Sequence, residues 1–286
     1  MSIFKKEVVA RMSSFSRVTV AVHDYAFHAD DVFSIALLKE LANVCDFTLE
    51  VIRTRKPEEL QKATMRVDVG LKYSEETLDF DHHQDDPRLM QAEKVKHSAF
   101  GLLCKWCLTK EFLQLFKYKY VLGLEHRDNT GKIHEKYADI GNFMPAFLPA
   151  YEENVSFDEM FEEAVAVASI ILRRCMKSAM GLLKGEQDIV NVISDKLANG
   201  KVIVMERRII VQQYLHPDWK FIISPDPSGG WGFLGMNGQL LKPELRGLNA
   251  ETLAQKGYNG RFTHVGGFTG ILETKEEAIR ICLESI

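Results

Sequence analysis

The feature that most constrains the fold is an alternation, early in the chain, of short apolar runs with a segment of helical periodicity. Short runs rich in β-branched residues predict strands at residues 18–22, 47–54, 66–70 and 77–81. Between the first two runs, apolar side chains recur at helical spacing from Val32 to Leu41, and Asp30 is expected to cap that helix. Strands that alternate with helices predict right-handed crossovers and a mainly parallel sheet.

The rest of the chain changes character after a long helical stretch. Helices are predicted at residues 57–60, 97–116, 157–184 (one or two helices) and 274–285, whereas residues 117–125 fit either a helix or a helix followed by a strand. Turn-rich segments separate further strands predicted at residues 201–206, 219–224 and 230–236.

These elements predict an α/β protein of two domains. We assign residues 17–150 to a parallel-sheet domain, residues 151–195 to connecting helices, and residues 196–286 to a second, smaller α/β domain. A length of 286 residues agrees with about two domains.

Composition excludes several classes of protein. With 36 basic and 40 acidic side chains, the net charge is −4, so any phosphate or nucleic acid must meet bound metal or a local basic patch. The longest uncharged apolar run, residues 164–172, is far shorter than the ~20 residues of a membrane helix. We therefore expect no membrane-spanning segment. The oligomeric state stays open, with a homodimer as one alternative.

Five cysteines, an odd number, do not predict a disulfide framework in a chain of this size. The pair Cys104 and Cys107 is expected to be buried, with a redox or zinc role as the alternative. Reduced thiols favour a cytoplasmic location. The serine-containing and basic residues 1–17 leave an organellar transit peptide as the alternative.

Histidines and aspartates gather where the predicted strands end. They are His23, His28, Asp30, Asp68, Asp81, His82, His83 and Asp128. In an open parallel sheet, ligands bind beyond the carboxyl ends of the strands, so these side chains are expected to converge although about a hundred residues separate them.

Imidazoles mixed with carboxylates favour a transition ion such as Mn, Co, Fe or Zn over calcium, which takes oxygen ligands. The set exceeds the needs of one ion and would suit two ions bridged by one carboxylate. Two divalent cations would neutralise the packed aspartates and make the site receptive to an anion. A pair of ions spaced ~3.5–4 Å apart can clamp both oxygens of a phosphoryl displacement.

Several motifs carry a family resemblance. The motifs are residues 23–31 (His-Asp-Tyr-Ala-Phe-His-Ala-Asp-Asp), Arg53-Thr54-Arg55, Val67-Asp68-Val69-Gly70, Asp81-His82-His83-Gln84, His97-Ser98-Ala99, Pro225, Gly230-Trp231, Arg246-Gly247-Leu248 and residues 264–268. With them the chain resembles, over nearly its whole length, the melanocyte-proliferating-gene family of the DHH phosphoesterase superfamily.

The resemblance implies a DHH-type N-terminal domain, a site for two divalent ions and 3′-to-5′ exonuclease activity, chiefly on RNA. The ions implied are Mn²⁺, with Mg²⁺, Co²⁺ or Zn²⁺ as alternatives. His23 and His28 would bind one ion. Asp30, His82 and Asp128 would bind the other, and Asp68 would bridge them.

The resemblance also implies roles outside the ligand set. Asp81 would orient His82, and His83 and His97 would contact the phosphate or assist proton transfer. Arg246, His264, Gly266 and Gly267 would bind the substrate from the second domain.

The chain departs from the family pattern in two places. Asp24-Tyr25-Ala26 and Ala29-Asp30-Asp31 stand where relatives usually have Asn-Gly-Thr and Cys-Asp-Glu, and residues 133–149 have no clear counterpart. The ligand positions are kept, whereas the loop around them differs.

Other functions remain open from the residues. The same site would serve an inorganic pyrophosphatase or a phosphodiesterase acting on short or cyclic nucleotides. Two alternatives remain: a non-catalytic protein with a structural metal cluster, and a metal-dependent hydrolase of a non-phosphate substrate. Structural metal sites are usually fully protein-ligated, whereas this set leaves room for water.

Overall fold

The computed structural model describes residues 2–211 and 215–286. The chain divides into two compact units, one ending at Met180 and the other comprising Gly181–Ile286. The division falls inside a single long helix, so the connecting region predicted at residues 151–195 contains one helix rather than two.

The first unit is built on a five-stranded sheet. Its strands are β1 (Arg17–Val22), β2 (Thr48–Arg53), β3 (Met65–Val67), β4 (Tyr73–Ser74) and β5 (Asp79–Phe80). They lie in the order β2-β1-β3-β5-β4, and all neighbours are parallel except β4, which pairs antiparallel with β5. The apolar run of β1 is explained by its central place, because a strand with parallel neighbours on both sides is covered on both faces.

Helices surround this sheet, and all but the last lie wholly in the first unit. They are α1 (Lys6–Met12), α2 (Ala29–Cys45), α3 (Pro57–Leu60), α4 (Ala99–Cys107), α5 (Lys110–Phe116), α6 (Leu122–Thr130) and α7 (Phe157–Val192), with a π-helical turn at Lys117–Val121. Helix α1, which precedes the predicted start of the domain, packs Val8 and Met12 into this unit. None of the helices in the described part of the chain has the length and apolarity to cross a membrane.

The helix predicted at residues 97–116 is interrupted. Helix α4 ends at Cys107, and Leu108 takes an extended conformation. Leu108 pairs with Phe4 in an isolated β-bridge, and the amide of Thr109 donates to the carbonyl of Ile3 at 2.8 Å. The break therefore depends on a segment about a hundred residues away, which helical periodicity does not record.

The N-cap of helix α2 lies two positions before the one predicted at Asp30. His28, in an extended conformation, is the N-cap, and Asp30 lies inside the first turn. Asp31 Oδ1 accepts hydrogen bonds from the amides of His28 at 3.0 Å and Val32 at 2.8 Å. A carboxylate three residues after the cap is a capping-box arrangement, and it fixes where the helix starts.

The second unit contains a six-stranded sheet and two helices of its own. The strands are β6 (Ile193–Leu197), β7 (Val202–Met205), β8 (Phe221–Pro225), β9 (Trp231–Gly235), β10 (Gly260–Thr263) and β11 (Thr269–Leu272), and the helices are α8 (Ala250–Gln255) and α9 (Lys275–Leu283). The order is β10-β11-β9-β8-β7-β6, and only the β7–β8 pair is parallel. A core that includes Phe221, Phe233 and Ile281 packs the sheet against both helices.

The predicted class is confirmed at the level of a mixed α/β protein, since both sheets contain parallel strands. The cysteines of α4 are buried as expected, and burial raises the pKa values of the Cys104 and Cys107 thiols well above the usual range. These thiols are therefore protonated at neutral pH in the metal-free protein.

Candidate metal centre

Three neighbouring parallel strands deliver polar side chains to one edge of the first sheet. His23 follows β1, Asp68 follows β3, and the pair Asp81-His82 follows β5. Because β1, β3 and β5 are adjacent and parallel, their carboxyl ends lie side by side. These positions were expected at strand ends, and the structure places them there.

Asp68 lies at the centre of the group. Its Oδ2 is 3.3 Å from Nε2 of His23, and its Oδ1 is 3.2 Å from Nε2 of His82 and 3.5 Å from Nδ1 of His83. Asp68 has a φ of +53°, in the left-handed region that aspartate enters more readily than most residues. One carboxylate oxygen thus faces His23 and the other faces His82, the arrangement required of a bridging ligand.

Two further aspartates reach His82 from helices. Oδ2 of Asp30, in the first turn of α2, is 3.7 Å from His82 Nε2, and Oδ2 of Asp128 is 3.2 Å from the same nitrogen. Asp128 lies in α6 and not at the end of a strand, so that part of the sequence interpretation was wrong. The helix nevertheless brings Asp128 to the expected partners.

Three sets of side chains could each hold a metal ion, with ligand atoms within 4.8 Å of one another. The sets are His23, His28 and Asp68; Asp68, His82 and His83; and Asp30, His82 and Asp128. The first and third sets match the two groups of ligands expected from the resemblance, and Asp68 contacts both.

Unsatisfied polar atoms test whether these residues fit a metal. Among the described residues, Asp31 Oδ2 and Asp68 Oδ1 are buried without a hydrogen-bond partner, although imidazole nitrogens lie 3.1–3.2 Å away. A buried polar atom without a partner costs about 1–3 kcal/mol, more when it is charged. A cation would satisfy such carboxylate oxygens, so the donor set fits a divalent ion.

The electrostatics of the metal-free cluster indicate a competition between protons and cations. Burial lowers the pKa of His23, but the hydrogen bond with Asp68 and the charge of Asp31 outweigh it and raise the pKa to about 9. Burial, only partly offset by His23, raises the pKa of Asp31 to about 8. Burial likewise raises the pKa of Asp128, and the nearby Asp30 adds to that effect. Protons therefore occupy the metal-free site at neutral pH.

Asp31 is a member of the cluster that sequence reasoning missed. Its side chain is fully buried, with Oδ2 at 3.1 Å from Nε2 of His23. The signal was its place three residues after His28, because the same carboxylate both caps α2 and faces the site. Asp30 has a comparable double role, since its oxygens accept the amides of Ala99 at 3.0 Å and Phe100 at 2.8 Å and so cap α4.

Asp81 contacts a different histidine from the one expected. Its Oδ1 accepts the amide of His83 at 3.0 Å and faces Nδ1 of His83 at 2.8 Å, and its Oδ2 accepts the amide of Leu71 at 2.6 Å. Nδ1 of His82 is buried without a partner among the described residues. Asp81 therefore orients His83, and the expectation that it orients His82 was wrong.

His97 is not part of any of the three ligand sets. Nδ1 of this buried histidine lies 2.8 Å from Oε1 of Glu125, whose other oxygen accepts from Nε2 of Gln91 at 2.7 Å. The three side chains line a separate cleft of about 290 Å³. This position gives His97 a hydrogen-bonded structural environment and no described contact with the ligand residues.

The four predicted substrate-binding residues lie together in the second unit. Nε of Arg246 donates to the carbonyl of Leu241 at 2.7 Å, and the amide of Gly266 donates to Nδ1 of His264 at 2.9 Å. A Cβ at Gly267, where φ is +73°, would lie 2.8 Å from Cδ of Arg246. Only glycine allows this close approach of backbone and arginine.

Two arginines hold the loop between His23 and His28. Arg53 donates to the carbonyl of Tyr25, and Arg55 pairs with Asp24. Arg55 also lines a cleft of about 460 Å³ together with His23, His28, Asp68 and His83. This cleft thus connects the cluster with solvent, and a guanidinium lies in its wall.

The fold and site define an α/β protein with a candidate metal centre of mixed histidine and aspartate ligands. The chain belongs to the uncharacterised protein family UPF0160 (MYG1_exonuc), whose model matches residues 19–137 and 118–286. That match confirms the family part of the resemblance.

Named relatives extend over the whole chain or over part of it. A "MYG1 protein" of Dictyostelium discoideum is 24% identical and covers 95% of this chain and 97% of its own length. "MYG1 protein YER156C" of Saccharomyces cerevisiae is 24% identical, covering 96% and 98%. A "MYG1 exonuclease" of Homo sapiens is 38% identical over 65 residues, which is 23% of this chain and 17% of that protein. No solved structure matches the chain significantly.

The first prediction concerns the central carboxylate. Asp68→Asn keeps the size of the side chain but removes the charge that faces His23 and His82, so Mn²⁺ affinity measured by calorimetry should fall by about tenfold or more. The Mn²⁺-induced rise in melting temperature should shrink in parallel. Asp85→Asn, which changes an exposed aspartate in the loop after β5, is the matched control and should bind Mn²⁺ like the wild type. Wild-type affinity in Asp68→Asn would contradict the assignment.

The second prediction is a pH dependence of the metal-free protein. The folded pKa values of His23 (about 9) and Asp31 (about 8) both exceed their unfolded values. The folded state therefore binds more protons than the unfolded state, and stability must fall as pH rises from about 6.5 to 9. Urea unfolding at several pH values measures this fall.

Manganese should reverse that trend, because the ion replaces the protons and its affinity rises as they leave. The matched measurement is Mn²⁺ affinity by calorimetry over the same range of pH. Metal-free stability that rises with pH, or Mn²⁺ affinity that is flat, would contradict the predicted competition.

Proposed function

We propose that this protein is a metal-dependent phosphodiesterase of the DHH type, acting as a 3′-to-5′ exonuclease on RNA or other single-stranded nucleic acid. The observation that carries the proposal is the convergence of six expected ligand side chains, with Asp68 at their centre, at one sheet edge. They are His23, His28, Asp30, Asp68, His82 and Asp128. The name "MYG1 exonuclease" of mammalian relatives supports the same activity.

The chemistry of the proposed reaction divides between ions and side chains. Two divalent ions held by these residues would neutralise the phosphodiester, activate a water molecule and stabilise the charge that develops on the phosphoryl oxygens. The chain itself supplies the ligands, holds them in an arrangement of strand ends and helix turns, and leaves the cleft lined by Arg55 open to the substrate.

His83 is suited to move a proton in that cleft. Its side chain is 53% exposed, and Asp81 holds its Nδ1, which leaves Nε2 for the substrate. The hydrogen bond with Asp81 raises the pKa of His83. A positioned imidazolium can donate a proton to the leaving oxygen of the cleaved bond.

Arg55 supplies positive charge on the wall of the same cleft. Its side chain is 54% exposed and its pairing with Asp24 is at the surface. Surface ion pairs contribute about 0–1 kcal/mol, so exchanging Asp24 for a phosphate costs little. Planar guanidinium groups bind phosphate oxygens in a bidentate manner. The net charge of the chain is negative, so a phosphate site needs local positive charge, and Arg55 supplies it.

The third prediction separates the proposed substrate from its alternatives. Protein loaded with Mn²⁺ should shorten 5′-labelled single-stranded RNA one nucleotide at a time from the 3′ end, and a blocked 3′ end should prevent it. Pyrophosphate, a dinucleotide and a cyclic dinucleotide are assayed beside it. Release of orthophosphate from pyrophosphate while the RNA stays intact would contradict the exonuclease proposal. Failure to hydrolyse any of these substrates would contradict it as well.

The fourth prediction separates proton transfer from metal binding. His83 belongs neither to the ligand set of His23, His28 and Asp68 nor to that of Asp30, His82 and Asp128. The number of Mn²⁺ ions bound by His83→Ala should therefore stay as in the wild type. The turnover number should fall by about 10²–10⁴-fold if His83 acts as the general acid. A substrate with a p-nitrophenolate leaving group needs little protonation, and its hydrolysis should fall much less. Equal losses on both substrates would contradict the role.

A further inference from the structure

A second cleft, of about 340 Å³, adjoins the candidate metal centre within the first unit. His28 and Asp128, which belong to different ligand sets, both line it. His28 also lines the cleft that contains Arg55, so one ligand residue borders both spaces. The far wall comes from residues between 131 and 148, most of which lie in the stretch 133–149 where the sequence departs from the family pattern.

Close packing makes this wall part of the fold. A Cβ at Gly141 would collide with Cβ of Ala29 in α2, and a Cβ at Gly123 in α6 would collide with the carbonyl of Ala138. The wall is therefore pressed against the two helices that carry Asp30 and Asp128. Asp139 Oδ1 accepts the amide of Gly141 at 2.8 Å, which fixes the turn.

The chemistry of the cleft differs from that of the metal centre. Apart from the ligand residues His28 and Asp128, its lining is mainly apolar, with the guanidinium of Arg127 and the carboxylate of Asp139, and includes Phe27, Leu124, Pro145 and Leu148. Nη1 of Arg127 faces Oδ2 of Asp139 at 3.2 Å and also donates to Asn142. The described bonds of Arg127 all involve Nη1, so its Nε and Nη2 are available to a ligand.

A cleft whose walls beyond the ligand residues are mainly apolar, with one guanidinium, fits a base and its ribose. Bases stack on apolar and aromatic walls, and arginine donates to their acceptor atoms. A volume of about 340 Å³ lies near the lower end of the range for small-molecule sites and suits one nucleoside rather than a longer segment. Inorganic pyrophosphate, which carries only charge, would gain nothing from the apolar wall.

We propose that this cleft, the nucleoside cleft, binds the nucleoside attached to the phosphate held at the metal centre. The proposal rests on the proposed phosphodiesterase function and names the part of the substrate that the enzyme recognises. It assigns residues 131–148 to substrate selection, and it explains why a metal ligand on α6 and a ligand at the start of α2 share a second wall.

The test compares ligands that differ only in the base. Adenosine 5′-monophosphate and ribose 5-phosphate both carry the phosphate, and only the first can fill the nucleoside cleft. In calorimetry with the Mn²⁺-loaded protein, adenosine 5′-monophosphate should bind about tenfold tighter or more, a ratio equal to about 1.4 kcal/mol. Leu148→Trp, which fills the cleft, should bring the two affinities together. Tyr151→Trp introduces the same side chain at a position that is 93% exposed and should keep the wild-type ratio.

A second measurement needs no variant. Hydrogen exchange should show protection of backbone amides within residues 139–148 when adenosine 5′-monophosphate binds and none when ribose 5-phosphate binds. Equal affinities of the two ligands in the wild type, or a ratio unchanged in folded Leu148→Trp, would overturn the nucleoside cleft. That outcome is distinct from failure of the proposed function, in which no phosphodiester is hydrolysed whatever the affinities are.

Discussion

The structure of the first unit depends on a buried concentration of carboxylates around Asp68. Asp30, Asp31 and Asp68 are almost fully inaccessible to water, and Nε2 of His23 lies within 3.3 Å of both Asp31 and Asp68. Charges so placed repel one another strongly at low dielectric, and isolated ions in such a place would be costly. In the metal-free state, bound protons reduce the negative charge of the buried group. Under the proposed function, bound cations neutralise it in the active state.

Backbone geometry holds these charges where they are. Three adjacent parallel strands end at one edge, and α2 and α6 bring Asp30 and Asp128 to it, so each ligand lies in a regular element or within two residues of one. Such a framework leaves little freedom for the ligands to separate. It also leaves two clefts beside the ligands, one lined by Arg55 and the other by Leu148, and His28 lines both.

The sequence predicted the strand ends well because each depends on local pattern. The segments before His23, Asp68 and Asp81 are short and apolar, and a parallel sheet aligns their ends. Other features depend on partners distant in the chain. The helix break at Leu108 depends on its pairing with Phe4. Asp128 lies on a helix because of the packing of α6. Loop geometry determines that Asp81 contacts His83 and not His82. Asp31 was overlooked because one oxygen caps a helix while the other faces His23.

The position of Asp30 has a consequence for anyone dissecting this site by mutagenesis. Both of its oxygens accept amides at the start of α4, so a substitution there also leaves two buried amides without a partner, a loss of about 1–3 kcal/mol for each. An inactive Asp30 variant would therefore confound a missing ion with a frayed helix. Asp128, for which the structure gives no such backbone bond in its described surroundings, offers the cleaner dissection. Substitutions at Asp30 should accordingly lower the amount of folded protein more than substitutions at Asp128.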